Sequence, residues 1–225
     1  MSAFTVVFDL DGTLVDTAPD LVATLNAVFA REGLAPVPYE AARNMVGAGA
    51  RRMIELGLKA KGRALAVRDV DRLFDEFITH YSAHIADHSQ PFPGLTGALD
   101  ELAARGARFA VCTNKLEWLS RQLLDALGLS ARFDAICGQD TFGVHKPDPE
   151  ILRRTIEQAG GSLERAVMVG DSATDIDTAR AAAVPVIAVD FGYTKTPVAQ
   201  LGPDRIIGHF DNLPAAVFEL FTRRA

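Results

Sequence analysis

Phe4-Thr5-Val6-Val7-Phe8-Asp9-Leu10-Asp11-Gly12-Thr13-Leu14-Val15-Asp16-Thr17 is the stretch from which the rest of the chain is read. The apolar run over 4–8 suits a strand buried on both faces, as in a parallel sheet. It ends in two carboxylates, Asp9 and Asp11, followed at once by Gly12 and Thr13. Strand ends of such sheets open into the crevice where ligands bind. Two acids delivered there repel each other unless a cation or a shared proton intervenes. The simpler alternative is a capped strand end with a turn at Asp11-Gly12, but a turn needs only one of the acids.

Outward from this strand the chain turns helical. Thr17 and Asp20 read as a capping box, with Pro19 tolerated in the first turn. Leu21, Leu25, Val28 and Phe29 form one apolar stripe, broken by Gly33 and Pro36-Val37-Pro38. Further helices are expected over 39–45, 50–58 and 70–86, with no strand among them. From Pro91-Phe92-Pro93-Gly94 onward strands and helices alternate. Strands are expected over 108–112, 135–137, 166–169, 186–189 and 205–207, and helices over 95–105, 116–127, 149–159, 173–182 and 215–221. This alternation predicts an α/β fold, a doubly wound, Rossmann-like parallel sheet wrapped by helices. The first strand belongs to that sheet by its character, so the helical block is an insertion. The expected division is an α/β core of residues 1–15 and 90–225, with an all-helical cap of residues 16–89. A cap hung just after Asp9 and Asp11 is placed to close over a bound ligand.

The 225 residues, 48% of them hydrophobic and 23% charged, suffice for a large core in an ordinary globular protein. The formal charge of −6 argues against a nucleic-acid partner, which calls for a basic face. It leaves room for a small phosphorylated metabolite, since small anions respond to local charge and metal. No apolar window is long enough to span a membrane, and no leader precedes the first strand. The expected location is therefore cytoplasmic. Cys112 and Cys137 sit in apolar runs and read as buried structural thiols. Oligomeric state is not legible in the sequence.

Polar residues gather after successive core strands: Thr113-Asn114, then His145-Lys146-Pro147-Asp148-Pro149, then Gly170-Asp171-Ser172-Ala173-Thr174-Asp175. Each group has a plain structural reading. Thr113-Asn114 could cap a helix, Lys146 could be a solvated loop lysine, and Asp148 before Pro149 reads as an N-cap. Asp171, Asp175 and Asp177 could flank a helix start favourably. If all strands run parallel, however, these loops share one edge with Asp9 and Asp11. Acids for a divalent cation, with donors and an ammonium for phosphate, make a set suited to phosphoryl chemistry.

In these motifs the chain resembles the haloacid-dehalogenase-like hydrolases. The resemblance runs through Asp9-Leu10-Asp11-Gly12-Thr13, a second motif ending in Thr113, Lys146, and Gly170 to Asp175, and it includes a cap inserted after the first motif. It looks closest to the bacterial phosphoglycolate phosphatases, through residues 14–21, Val46-Gly47-Ala48-Gly49-Ala50 and Phe191-Gly192-Tyr193. The resemblance implies a phosphatase of carbohydrate metabolism with Asp9 as nucleophile and an aspartyl-phosphate intermediate. It implies Asp11 as general acid and base. It implies Mg²⁺ on Asp9, Asp171 and the backbone carbonyl of Asp11, and support from Asp175 and Gly12. Thr113, the backbone around Asn114, and Lys146 would hold the phosphoryl oxygens. The expected substrate is 2-phosphoglycolate. Alternatives are a nucleoside monophosphate, an amino-sugar phosphate or pyrophosphate, a sugar phosphomutase reaction, or a non-catalytic binding module on the same fold.

Substrate choice is expected from the cap, because the core groups handle only the phosphoryl unit. Within it, Gly49 and the adjacent cations Arg51 and Arg52 are the candidates, since a guanidinium can pair bidentately with a carboxylate. His80, His84 and His88 at helical spacing read as a solvated face rather than a zinc site. Trp118 is expected to pack a core helix.

Overall fold

β1 (Phe4–Phe8) is buried along its whole length. The computed structural model describes residues 3–64 and 66–222. After β1 come β2 (Val15–Asp16), α1 (Ala18–Arg31), α2 (Tyr39–Arg43), α3 (Ala50–Ala60), α4 (Val67–Ala83) and β3 (Gln90–Pro91). The chain continues through α5 (Leu95–Ala104), β4 (Ala107–Cys112), α6 (Glu117–Ala126), β5 (Ala135–Cys137) and α7 (Pro149–Gln158). It closes with β6 (Ala166–Gly170), α8 (Ala173–Ala181), β7 (Val186–Val189), β8 (Arg205–Ile207) and α9 (Leu213–Thr222).

Six strands form one sheet in the order β5-β4-β1-β6-β7-β8, and every neighbouring pair is parallel. The chain leaves β1 toward β4 and β5 on one side, then crosses back to build β6, β7 and β8 on the other. That reversal beside β1 opens the crevice in which such sheets bind ligands. Phe8 is in register with Val111 of β4 and Val169 of β6. Asp9, Thr113 and Asp171 therefore emerge at the same edge.

Alternating side chains give the sheet two packed faces. Phe4, Val6 and Phe8 share one core with Leu99 of α5, Leu123 of α6 and Val217 of α9. Val7, Cys112 and Met168 share the other with Ile151 and Ile156 of α7 and Ile176 of α8. Both cysteines are buried free thiols, and burial pushes the Cys112 thiol up to about 12.

α1 to α4 form the helical insert between β1 and β4. Val70, Leu73, Phe77 and Tyr81 make the buried stripe of α4, at the spacing of one helix face. Gly57 lets α3 approach α1, because a Cβ there would lie 2.8 Å from the Phe29 ring. The two crossings of the chain between core and insert are themselves paired. β2 and β3 form an antiparallel ladder, with Val15 opposite Pro91 and Asp16 opposite Gln90. Strands of two residues show no periodicity, so sequence pattern does not reveal them.

Three expectations are corrected. Thr17 and Asp20 make no capping box: Thr17 has no side-chain cap bond, and its hydroxyl donates to Asp11 Oδ1 at 2.7 Å. Asp20 instead accepts from the backbone of His88 and Ser89 and from the Ser89 hydroxyl, at 2.6–3.1 Å. The last helix of the insert ends at Ala83 rather than residue 86, which takes His88 off the histidine stripe while the His80 and His84 ring centroids still lie 4.6 Å apart. His84 pairs with Asp87 at 2.7 Å and His88 with Asp20 at 3.1 Å. Trp118 is 47% exposed, because α6 packs through Leu119, Leu123 and Leu124 and leaves it outside that stripe. Among the described residues no helix is long and apolar enough to cross a membrane.

Candidate active site

Asp9 follows β1 directly, and its N–H donates to Val169 O at 2.9 Å, so the ladder to β6 fixes it at the sheet edge. Its Oδ1 lies 2.8 Å from the Lys146 Nζ. The same ammonium lies 2.6 Å from Asp175 Oδ1, so one buried cation bridges two buried carboxylates. Asn114 holds Lys146 by its backbone: Asn114 Oδ1 accepts from Lys146 N–H at 2.9 Å, and Asn114 Nδ2 donates to Lys146 O at 3.2 Å. The Asn114 amide thus faces lysine backbone.

Asp175 lies in the first turn of α8. Its second oxygen accepts from Ser172 Oγ at 2.7 Å and from the N–H groups of Ser172 and Asp171 at 3.1 and 3.2 Å. An acid at this position also complements the helix dipole. Asp171 accepts from Tyr193 N–H at 2.7 Å and from Thr13 Oγ1 at 3.3 Å. Close approach requires glycine on both sides of it. A Cβ on Gly12, whose φ is +84°, would lie 2.8 Å from Asp171 Oδ2, and one on Gly192 would lie 2.2 Å from Asp171 Cβ.

One oxygen from each of Asp9, Asp171 and Asp175 falls within 4.8 Å of the others. Three buried acids around a single ammonium leave an excess of negative charge. Burial pushes Asp9 up to about 7, with Asp175 and Asp11 adding to the rise and Lys146 opposing it. Burial likewise raises Asp171 to about 8, reinforced by Asp175 and Asp9. For Lys146 burial acts downward, but Asp175 and Asp9 outweigh it and keep the ammonium charged. Hard oxygen donors with unmatched charge fit a hard divalent cation. Asp175 is the most heavily engaged, with Lys146 on one oxygen and three donors on the other. Asp9 has a bond to Lys146 on Oδ1, and among the described residues Asp171 Oδ1 has only the 3.3 Å contact from Thr13. Asp9 and Asp171 are therefore the carboxylates with more capacity for a metal.

Asp11 stands on the side facing the insert. Its Oδ1 accepts from Thr17 and lies 3.0 Å from Lys115 Nζ. Lys115 also donates to Tyr81 OH at 3.2 Å and sits 4.5 Å above the Tyr81 ring. Burial acts against its charge, but Asp11 and Tyr81 outweigh that and raise its pKa. Thr113 is buried, and its Oγ1 accepts from Lys115 N–H at 3.2 Å, which leaves the hydroxyl hydrogen for another acceptor.

Between core and insert lies a cavity of about 40 Å³, lined by Asp11, Asn114 and Lys115 on one side and Gly49, Phe77 and Tyr81 on the other. A site for one water needs roughly 10–15 Å³ on that measure, so this cavity holds only a few atoms. Arg51 and Arg52 do not line it. Arg51 pairs with Asp71 and Arg52 with Glu55 on the exposed surface of the insert, and Arg51 lies over the outer side of the partly buried Phe74 ring. The cation that does face the cavity, Lys115, was missed by sequence reasoning. Its signal was its place directly after Thr113-Asn114 at a strand end. Tyr81 was hidden as one more member of a buried helical stripe.

A model of the haloacid dehalogenase-like hydrolase family matches residues 6–189. The chain belongs to that family. This haloacid dehalogenase-like hydrolase is 49% identical to a phosphoglycolate phosphatase of Mesorhizobium japonicum, over all of the chain and 99% of that protein. It is 50% identical to one of Agrobacterium fabrum, over 95% of the chain and 91% of that protein. Among solved structures it resembles a predicted phosphoglycolate phosphatase from Haemophilus somnus, with a TM-score of 0.88 and 26% identity over 96% of this chain and 98% of that one.

Proposed function

We propose that the chain is a Mg²⁺-dependent phosphatase that converts 2-phosphoglycolate to glycolate and phosphate through a phosphorylated Asp9. The observation that carries this reading is the gathering of Asp9, Asp171 and Asp175 oxygens within 4.8 Å of one another, with the Lys146 ammonium between two of the acids. The substrate is supported by near-half identity, over essentially full length, to proteins named phosphoglycolate phosphatase. The few-atom cavity beside Asp11 suits a leaving group of that size.

Asp9 and Asp171, with the backbone carbonyl of Asp11, would hold the Mg²⁺, which supplies positive charge against the repulsion between carboxylate and phosphate dianion. That repulsion is roughly 1–4 kcal/mol at about 4 Å, depending on the effective dielectric. Lys146, anchored by Asp9 and Asp175, has a third N–H for a phosphoryl oxygen, and Thr113 offers its hydroxyl. Asp9 attacks phosphorus, and the new O–P bond forms as the ester P–O bond breaks. The electron pair leaves on the glycolate oxygen, which takes a proton from Asp11. Water then attacks the acyl phosphate and gives a proton to Asp11. Phosphate departs, and Asp9 returns as the free carboxylate. Asp11 has its second oxygen available for these transfers, because Thr17 and Lys115 both bind Oδ1. In this reading α1–α4 are the cap, and the β2–β3 ladder is its attachment.

The test is phosphate release, with Mg²⁺ present, from 2-phosphoglycolate, a nucleoside monophosphate, an amino-sugar phosphate and pyrophosphate. The highest kcat/KM is expected for 2-phosphoglycolate. Faster turnover of another member would overturn the substrate, and release from none would overturn the phosphatase reading.

A further inference from the structure

We propose that Lys115 binds the substrate's carboxylate and is the residue that selects a carboxylate-bearing phosphate ester over a neutral one. The inference rests on the function proposed above. Lys115 is 8% exposed, yet it comes from the core loop after β4 rather than from the insert. An ammonium has three N–H donors. One points to Asp11 Oδ1 at 3.0 Å and one to Tyr81 OH at 3.2 Å. The third has no partner among the described residues, and Lys115 lines the cavity. Among the described residues lining that cavity, Lys115 is the one cation.

The distances suit a two-carbon acid. With Asp11 protonating the ester oxygen, the leaving group must extend past Asp11 into this cavity. Across a single methylene, carboxylate oxygens lie on the order of 3 Å from the ester oxygen, by ordinary bond lengths. That is also the separation of Lys115 Nζ from Asp11. The opposite wall includes Leu21, Met53, Phe74 and Phe77, where an unpaired carboxylate would be costly. Arg51 and Arg52, the other cations of this region, are bound to Asp71 and Glu55 on the outside. A charged leaving group is thus accommodated through Lys115, whereas a neutral one leaves the existing bonds to Asp11 and Tyr81 in place.

The experiment measures kcat/KM for 2-phosphoglycolate, its carboxamide analogue and ethyl phosphate, with Mg²⁺, in the parent and in Lys115→Met, Lys115→Gln and Lys115→Arg. The parent is expected to favour the acid over ethyl phosphate by about 100-fold or more, the scale of a charged pair lost from a dry site. In Lys115→Met the ratio should fall by at least about 20-fold, with the acid and its carboxamide becoming nearly equal. Lys115→Arg should retain most of the preference. If Lys115→Met fails to fold, Lys115→Gln can still bond Asp11 and Tyr81 and is read in the same way. Equal losses on all three substrates would overturn the inference, placing Lys115 as a support for Asp11, and so would an unchanged ratio. A parent that shows no preference for the acid would overturn the substrate reading itself, a result the variants are not needed to see.

Discussion

Gly192 carries no side chain, yet Gly192→Ala should disable the enzyme. The new methyl would stand 2.2 Å from Asp171 Cβ and 2.4 Å from its Oδ2, where ordinary contact begins near 3.4 Å. Roughly 1 Å of retreat is required, and the loop cannot easily supply it. Arg43 donates to Phe191 O at 3.3 Å and Gly192 O at 2.9 Å, and its guanidinium lies 4.9 Å above the Tyr193 ring. Tyr193 is fixed at its N–H by Asp171 and at its hydroxyl by Asp16 and the Ala18 N–H. The displacement therefore falls on Asp171. Misplacing a group at the reacting centre by about 1 Å costs about 10²-fold, or about 2.7 kcal/mol of barrier. We expect kcat/KM for 2-phosphoglycolate to drop by about that factor and half-saturation by Mg²⁺ to move upward. Overpacking of this kind costs about 1–3 kcal/mol of stability, so the fold should persist with a modestly lower Tm. The assay is phosphate release across a Mg²⁺ titration, paired with thermal melts. Kinetics within about threefold of the parent, with an unmoved Mg²⁺ midpoint, would refute the reasoning.

Asp9→Asn should fold and lose essentially all turnover, because a neutral amide is a poor nucleophile; acid-quenched parent enzyme should carry a phosphoryl group on Asp9 by mass spectrometry. Turnover by the variant within about tenfold of the parent would exclude the role. The metal-free protein should lose stability as pH rises. Asp9 and Asp171 are raised to about 7 and about 8 from an ordinary 3.8, so their contribution is full below about pH 4 and disappears through pH 7–8. Mg²⁺ binding displaces those protons, so the Tm gain on adding Mg²⁺ should be larger at pH 8.5 than at pH 5.5, and a metal-free Tm that climbs over this range would contradict the assignment. Arg51→Ala and Arg52→Ala each remove an exposed ion pair worth at most about 1 kcal/mol, and kcat/KM for 2-phosphoglycolate should stay within about twofold; a tenfold loss in either would return substrate choice to the surface of the insert.

The parallel core was legible because strands buried on both faces read as apolar runs, and because the polar residues gathered at its edge stand immediately after those runs. Asp9 after β1, Thr113 after β4 and Asp171 after β6 are all one or two positions from a pattern visible in the chain. What stayed hidden depends on partners distant in sequence. Asp20 looked like part of a local cap, but its partners lie 68 and 69 residues away. Lys115 and Tyr81 meet across 34 residues and across the boundary between core and insert. Arg51 and Arg52 carried a sound chemical argument, yet helix rotation decides which face of α3 meets Asp71 or the cavity. For Trp118 the register of a single helix decided the matter, with Leu119 rather than its neighbour turned inward.

The β2–β3 ladder has an architectural consequence. Val15 stands opposite Pro91 and Asp16 opposite Gln90, while Asp20 fastens His88 and Ser89 close by. Partners across such a ladder are about 5 Å apart, a gap that a turn of two residues can close. To the six-stranded sheet, four helices and their loops are therefore equivalent to the tip of a hairpin. Their length and makeup can change without altering strand order or register. Much of the wall of the cavity, including Phe77 and Tyr81, travels with that replaceable piece, while Asp9, Thr113, Lys115, Lys146 and Asp171 stay on the loops after β1, β4, β5 and β6. The acid cluster with Lys115 and the insert-borne wall of the cavity are thereby carried by separable parts of one continuous chain.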